Sequence, residues 1–300
     1  MELIWQDKLS EEQADQVRAL VAAAAEVDGR APIGEHVLLN LDAGDHLVAT
    51  ERAGGPVVGY AFLDRTGDND GNAVAELAVH PERRRRGTGS ALVEGVLAKV
   101  SDGAELRIWA HGETPAATRL AEKFGLRRAR ELWRMRRSLA EPLPTREAPE
   151  GVVLRTFRPG EDEAAMVAVN NRAFSWHPEQ GGWTEADVRT REAEEWFDAN
   201  GFFLAEKAGE VVGFHWTKVH PASPGTGGEP IGEVYVVGID PDAQGGGLGS
   251  VLTLAGLHHL RSLGLPAVML YVEADNAAAV RVYEKLGFSQ WDADVQFAPV

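Results

Sequence analysis

Cysteine is absent from the 300 residues. Disulfides, thiolate nucleophiles, iron–sulfur clusters and cysteine-ligated zinc are excluded together, so any catalysis must use oxygen and nitrogen groups. Lysine is scarce, supplying six of the 30 basic residues and leaving the rest to arginine. No apolar run reaches the ~18 residues of a membrane span; the longest, such as LPAVMLYV at 265–272, fall far short. The opening MELIWQDKLSEE carries more acid than base, unlike a targeting peptide. A cytoplasmic protein with no membrane partner is expected.

What is abundant is acid. The formal net charge is −16, and it is uneven: residues 1–140 carry −3 and residues 151–300 carry −11. Such a surface repels phosphate backbones and draws cations, so nucleic acid is a poor partner despite the arginine run at 83–86. A small cationic substrate suits the second half, although solubility alone would explain the charge equally well. His258 and His259 are adjacent on one helix, face different ways and form no i,i+4 metal pair. His177 and His215 read as packing or substrate contacts. No metal is expected, and the chain is expected to be a monomer.

The chain repeats itself. Pro81 precedes ERRRRGTGSALV and Pro241 precedes DAQGGGLGSVLT, so that Gly87 and Gly89 answer Gly247 and Gly249. Further on, RLAEKFGL and RVYEKLGF share Glu-Lys-apolar-Gly-apolar, with Gly125 matching Gly287. Self-similarity over half a chain marks a duplication. Each half predicts a starting strand, a helix (11–26 and 161–174), a hairpin and a strand–glycine loop–helix crossover. A strand, a helix and a final strand pair follow. EPLPTREAPE, residues 141–150, reads as a linker. The expected organisation is therefore two α/β domains, 1–140 and 151–300, with mixed, mostly antiparallel sheets.

A turn feeding a helix points unpaired N–H groups in one direction, which suits phosphate. A Walker loop would need Gly-Lys-Ser/Thr, and a dinucleotide fingerprint a third glycine where Leu92 and Ser250 stand. Both fail. Arg84-x-x-Gly87-x-Gly89 and Gln244-x-x-Gly247-x-Gly249 instead resemble the R/Q-x-x-G-x-G/A signature of the GNAT acetyltransferases. The resemblance covers almost the whole chain and implies two tandem GNAT domains using acetyl-CoA. It implies acetyl-CoA contacts at Val237, Gly238 and Ile239, with the strand splaying at Gly238, and at Gln244, Gly245, Gly246, Gly247, Leu248, Gly249 and Ser250. Asn276, Ala277, Ala278, Ala279, Val280 and Arg281 complete that set. In the first half it implies Ala78, Val79, His80, Arg84, Gly87 and Gly89.

Acetyl transfer to an amine needs a base and an acid. In the family the acid is commonly a tyrosine after the last helix's asparagine, which implies Tyr283 after Asn276. Glu233, opening the glycine-loop strand, is the expected base. Ala73, Thr114 and Ala121 occupy the matching places in the first half, which is expected to be degenerate, with Glu76 as its one carboxylate of interest. Within the family, NRAFSWHPEQGGWT, GFHWTKVHP and LYVEADNAAAVRVYEKLGF resemble a tandem actinobacterial branch. Its members acetylate the cysteinyl amine of a cysteine–glucosamine–inositol conjugate. That likeness implies a thiol-bearing amine substrate held by Glu35, Glu179, Lys218, Glu233 and Tyr271. A tandem enzyme for an aminoglycoside or polyamine, and a non-catalytic acyl-CoA sensor, are the competing readings.

Overall fold

The structure is a computed structural model and describes residues 1–67, 71–100, 105–175 and 180–300. It forms two compact units, one of residues 1–132 with 292–300 and the other of residues 133–291.

The first unit runs β1 (Glu2–Gln6), α1 (Glu11–Asp28), α2 (Glu35–Leu39), β2 (Asp45–Thr50), β3 (Val57–Asp64) and β4 (Ala73–Val79). It continues through α3 (Thr88–Lys99), β5 (Leu106–Ala110), α4 (Pro115–Lys123) and the first part of β6 (Leu126–Ser138). The same succession then recurs. It comprises β7 (Val152–Thr156), α5 (Glu163–Ala173), α6 (Glu185–Glu192), β8 (Phe202–Lys207), β9 (Glu210–His220) and β10 (Ile231–Ile239). After these come α7 (Leu248–Ser262), β11 (Ala267–Glu273), α8 (Ala277–Lys285) and β12 (Ser289–Pro299). Helices α2 and α6 have no counterpart in the sequence-based expectation; both are under nine residues, too short for a periodic pattern to stand out.

In each unit four strands pair antiparallel and the next pairs parallel, β4 with β5 and β10 with β11. Helices cover both faces of each sheet. In the first unit Val17, Leu20 and Val21 of α1 pack with Val48, Tyr60 and Phe62, while Leu92, Val93 and Val96 of α3 pack with Leu47, Ala61 and Ala75. In the second, Met166 and Val169 of α5 meet Phe202, Phe214 and Trp216, and α7 buries Leu254, Leu257 and Leu260 beside Val234. Local signals start these helices where expected. Ser10 and Gln13 form a reciprocal capping box on α1, satisfying two otherwise free donors.

The boundary expected at 141–150 is not where the units part, and this corrects the bounds 1–140 and 151–300. The closing strands are exchanged. Residues 133–138 of β6 lie with the second unit, next to β11 in strand order, and β12 pairs antiparallel with β5 of the first, Val295 opposite Ala110. Burial drives this. Met135, Leu139 and Leu143 enter the core of the second unit, and Val295 and Phe297 pack with Ala121 of the first. The proline-rich segment is accordingly no free tether: Leu143 is buried, and the Val152 N–H donates to the Pro149 carbonyl.

Candidate active site

Strand β10 organises the second unit's site. It pairs with β11 only at Gly232, Glu233 and Val234, although both strands continue beyond, and its register against β9 shifts between Val234 and Val236. The parallel strands therefore part after Val234. The parting was expected at Gly238 and begins four residues earlier. Gly238 is glycine for a different reason: a Cβ there would stand 2.4 Å from the Phe214 ring across the β9 pair. Beyond the parting, the main chain of Val237, Gly238 and Ile239 has no β11 partner. An extended ligand can take that place.

Glu233 is buried, on the face opposite α7. Its cross-strand partner is Lys218, also buried, whose Nζ lies 4.5 Å from the centre of the Trp196 ring and 5.5 Å from that of Tyr235. His220, two residues along β9 on the same face, puts Nε2 2.5 Å from Glu233 Oε2. Arg191 of α6 donates to the Tyr235 hydroxyl and stacks over Trp183. The result is a carboxylate set among cations and indole rings. Tyr271, on β11 and two residues past the position opposite Glu233, is more than a third exposed; the Arg134 guanidinium lies over its ring.

Residues 244–250 form the turn into α7. Gly245, Gly246 and Gly247 all take left-handed backbone angles, with φ of +93°, +58° and +86°, a run that side-chain-bearing residues resist. Gly247 caps α7, so the first N–H groups of a 15-residue helix face outward there. Arg146 lies against this turn: a Cβ on Gly247 would be 2.5 Å from its Nη2. Leu248 is buried in the adjoining core, and Gly249 and Ser250 continue the first turn. At the next helix Asn276 accepts from the Ala279 N–H and caps α8, where Ala277, Ala278, Val280 and Arg281 follow. Tyr283 on α8 packs with the cluster that holds Val234, Leu270 and Val237, its ring edge-on to Phe288. Burial pushes its phenol up to about 12, so it remains a proton donor at neutral pH.

The first unit has its own cleft, of about 570 Å³, lined by Ala78, Val79, Arg84, Gly87, Gly89, His111 and Thr114 among others. His80 is not among its lining residues. Arg84 is held by Asp28 in a bidentate pair, with both bonds at 2.7 Å. Arg85 takes a φ of +63°, the conformation that glycine supplies at position 245. Thr114 caps α4 as Asn276 caps α8, and Ala121 occupies the place of Tyr283. Carrying that correspondence onto the paired strands puts Val74, not Ala73, at the place of Glu233, because the register shift in β10 adds a residue. Neither is a carboxylate.

The first half is nevertheless not bare of titratable groups. Glu76 is buried, accepts from the Gly34 N–H at 2.6 Å and bonds His111 Nε2 at 2.9 Å, while His111 Nδ1 lies 3.3 Å from Asp294. All the proton-bearing faces of that imidazole are engaged. His215, read from sequence as packing or substrate contact, is fully buried and bonds the Leu252 carbonyl; burial lowers it to about 4, so it packs as a neutral ring. Glu179 and His177 lie outside the described residues. Glu35 opens α2.

Sequence reasoning missed His220, Arg191, Trp183, Trp196 and Arg146. Three tryptophans between 176 and 196 were a visible signal. His220 and Arg146 meet their partners only through register and chain path.

Residues 169–288 match the family described as Acetyltransferase (GNAT) family, and residues 42–127 the Acetyltransferase (GNAT) domain. The solved GCN5-related N-acetyltransferase from Sphaerobacter thermophilus superposes with a TM-score of 0.70 at 25% identity, covering 99% of this chain and 95% of that one. A tandem GNAT protein from the clavulanic acid biosynthesis pathway has the same fold, with a TM-score of 0.70 at 23% identity over 99% of this chain and 98% of its own. Among curated proteins, a mycothiol acetyltransferase from Actinosynnema mirum is 57% identical over 99% of both chains. The chain belongs to the GNAT acetyltransferase family, as a tandem member of the branch whose relatives are called mycothiol acetyltransferase. It is an acetyl-CoA-dependent N-acetyltransferase.

Proposed function

We propose that the second unit transfers the acetyl group of acetyl-CoA to the cysteinyl amine of a cysteine–glucosamine–inositol conjugate, giving mycothiol. The observation carrying this is the buried Glu233 carboxylate beside Lys218 and His220, next to the parting of β10 and β11. Glu233 takes a proton from the bound ammonium, and the freed amine attacks the thioester carbonyl. The tetrahedral intermediate then collapses, the C–S bond breaks, the departing thiolate takes the Tyr283 proton, and the surplus proton on the new amide nitrogen leaves to restore the phenol. The diphosphate rests on the N–H groups of Gly245 to Ser250, with Arg146 alongside. The pantetheine arm runs along Val237 to Ile239, and α8 from Asn276 to Arg281 closes the far side. Lys218 and Tyr271 bond the sugar and inositol hydroxyls, as such groups can.

The first unit holds acetyl-CoA at Ala78, Val79, Arg84, Gly87 and Gly89 without turnover, since it has neither the base nor the phenol. The test is direct. Purified enzyme with acetyl-CoA and the conjugate should yield a product heavier by one acetyl group. Glu233→Gln should lower that rate by roughly 10²–10³-fold while acetyl-CoA affinity is kept. Faster acetylation of an aminoglycoside or polyamine would transfer the assignment to that substrate, and near-normal turnover of Glu233→Gln would move the base elsewhere.

A further inference from the structure

Glu233 has two carboxylate oxygens, and they do not stand in equivalent surroundings. Oε2 lies 2.5 Å from Nε2 of His220. The pair is set by strand register: Glu233 is opposite Lys218 and Ile231 is opposite His220, so the imidazole reaches diagonally across the β9–β10 ladder on one face of the sheet. The carboxylate side chain is 8% exposed and the imidazole 27%. At that distance the histidine donates its Nε2–H and Oε2 accepts.

From this geometry we infer that His220 is the positioning residue for the base. It ties down Oε2 and leaves Oε1 to meet the incoming amine. The inference rests on Glu233 being the base. A buried carboxylate with no donor would have no fixed orientation and would leave its oxygens unmatched. Lys218 shares the face but lies over the Trp196 and Tyr235 rings, where a cation is attracted to the π-faces. It supplies positive charge nearby, and the directional bond comes from His220. Among the described residues this face also carries the Tyr235 hydroxyl, which takes the Arg191 Nε–H, and Arg191 itself. From the β11 side it carries Tyr271 with Arg134, whose guanidinium lies over the Tyr271 ring and donates to the sulfur of Met269, the residue opposite Glu233.

His220 does not touch the reacting atoms in this scheme, so its removal should leave a distinct signature. His220→Ala should lower kcat at least tenfold with the acetyl-CoA KM unchanged. His220→Gln, whose amide N–H can donate in the same place, should recover most of the rate. In the Glu233→Gln background, His220→Ala should cost little more, since the two act as one unit. A Gln variant as slow as Ala, or a raised acetyl-CoA KM in place of a lowered kcat, would overturn the inference. The reading of Glu233 fails separately, through near-normal turnover of Glu233→Gln alone.

Discussion

His111 stands between two carboxylates, and its surroundings make a pH-dependent contribution to the first unit. Burial by itself would lower the imidazole, but hydrogen bonds to Asp294 and Glu76, and their charges, push it up to about 10. Burial would likewise raise Glu76, yet the hydrogen bond and charge of His111, the charge of His36 and the Gly34 N–H hold it below its usual value. A raised histidine stabilises the fold fully below its unfolded value of 6.5, and that contribution is lost as pH rises through about 10. A lowered glutamate stabilises above its unfolded value of 4.5 and loses its contribution as pH falls. The melting-temperature gap between wild type and His111→Gln should thus be widest between about pH 4.5 and 6.5 and close by about pH 10. A constant gap up to pH 10.5 would show that His111 is not charged there. Nothing in the sequence announced this cluster, because Asp294 lies in the last strand of the other half. Glu233 and Lys218 were legible as candidates because each sits inside a recognisable stretch. Their partner His220 was not, since diagonal neighbours exist only once register is set.

At the level of elements, the two glycine loops carry the same backbone with different residues. The second uses three glycines in the left-handed region; the first puts Arg85 there and keeps Gly87 as the α3 cap. This turn was the most legible feature of the chain, because few residue types tolerate its angles. The bulge in β10 was not legible, and it displaced the expected correspondence of Glu233 by one position. Gly247→Glu adds a Cβ at a φ of +86° and sets a carboxylate where an anionic ligand is proposed to rest. It should abolish turnover. Gly87→Glu imposes nearly the same backbone strain, at a φ of +88°, and should leave turnover in place. The pair therefore separates loss of fold from loss of ligand, with melting curves as the control. Equal loss of activity in two folded variants would mean that the first unit contributes to the reaction.

For the molecule as a whole, duplication was visible in the spacing of Gly87 and Gly247, but the exchange of closing strands was not. Both tails alternate in the same way, and alternation says which face is buried without saying which neighbour buries it. The exchange predicts a displaced effect. Phe297, near the end of the second repeat, packs with Val295 and Ala121. Phe297→Ala should cost about 3–5 kcal/mol, and hydrogen exchange should register the loss in β5 and α4. Loss of protection confined to β11 would contradict the strand assignment.

The crossing of β12 also bears on how the chain is made. When Ala110 leaves the ribosome, the strand that will lie against β5 has yet to be translated. Nearly two hundred residues must follow, which at the usual elongation rates takes roughly 10–40 s. Throughout that interval the β5 edge has a row of open backbone groups, the kind of surface that recruits stray strands. The half synthesised first cannot close its sheet until the last strand emerges, so the two units reach their finished form together.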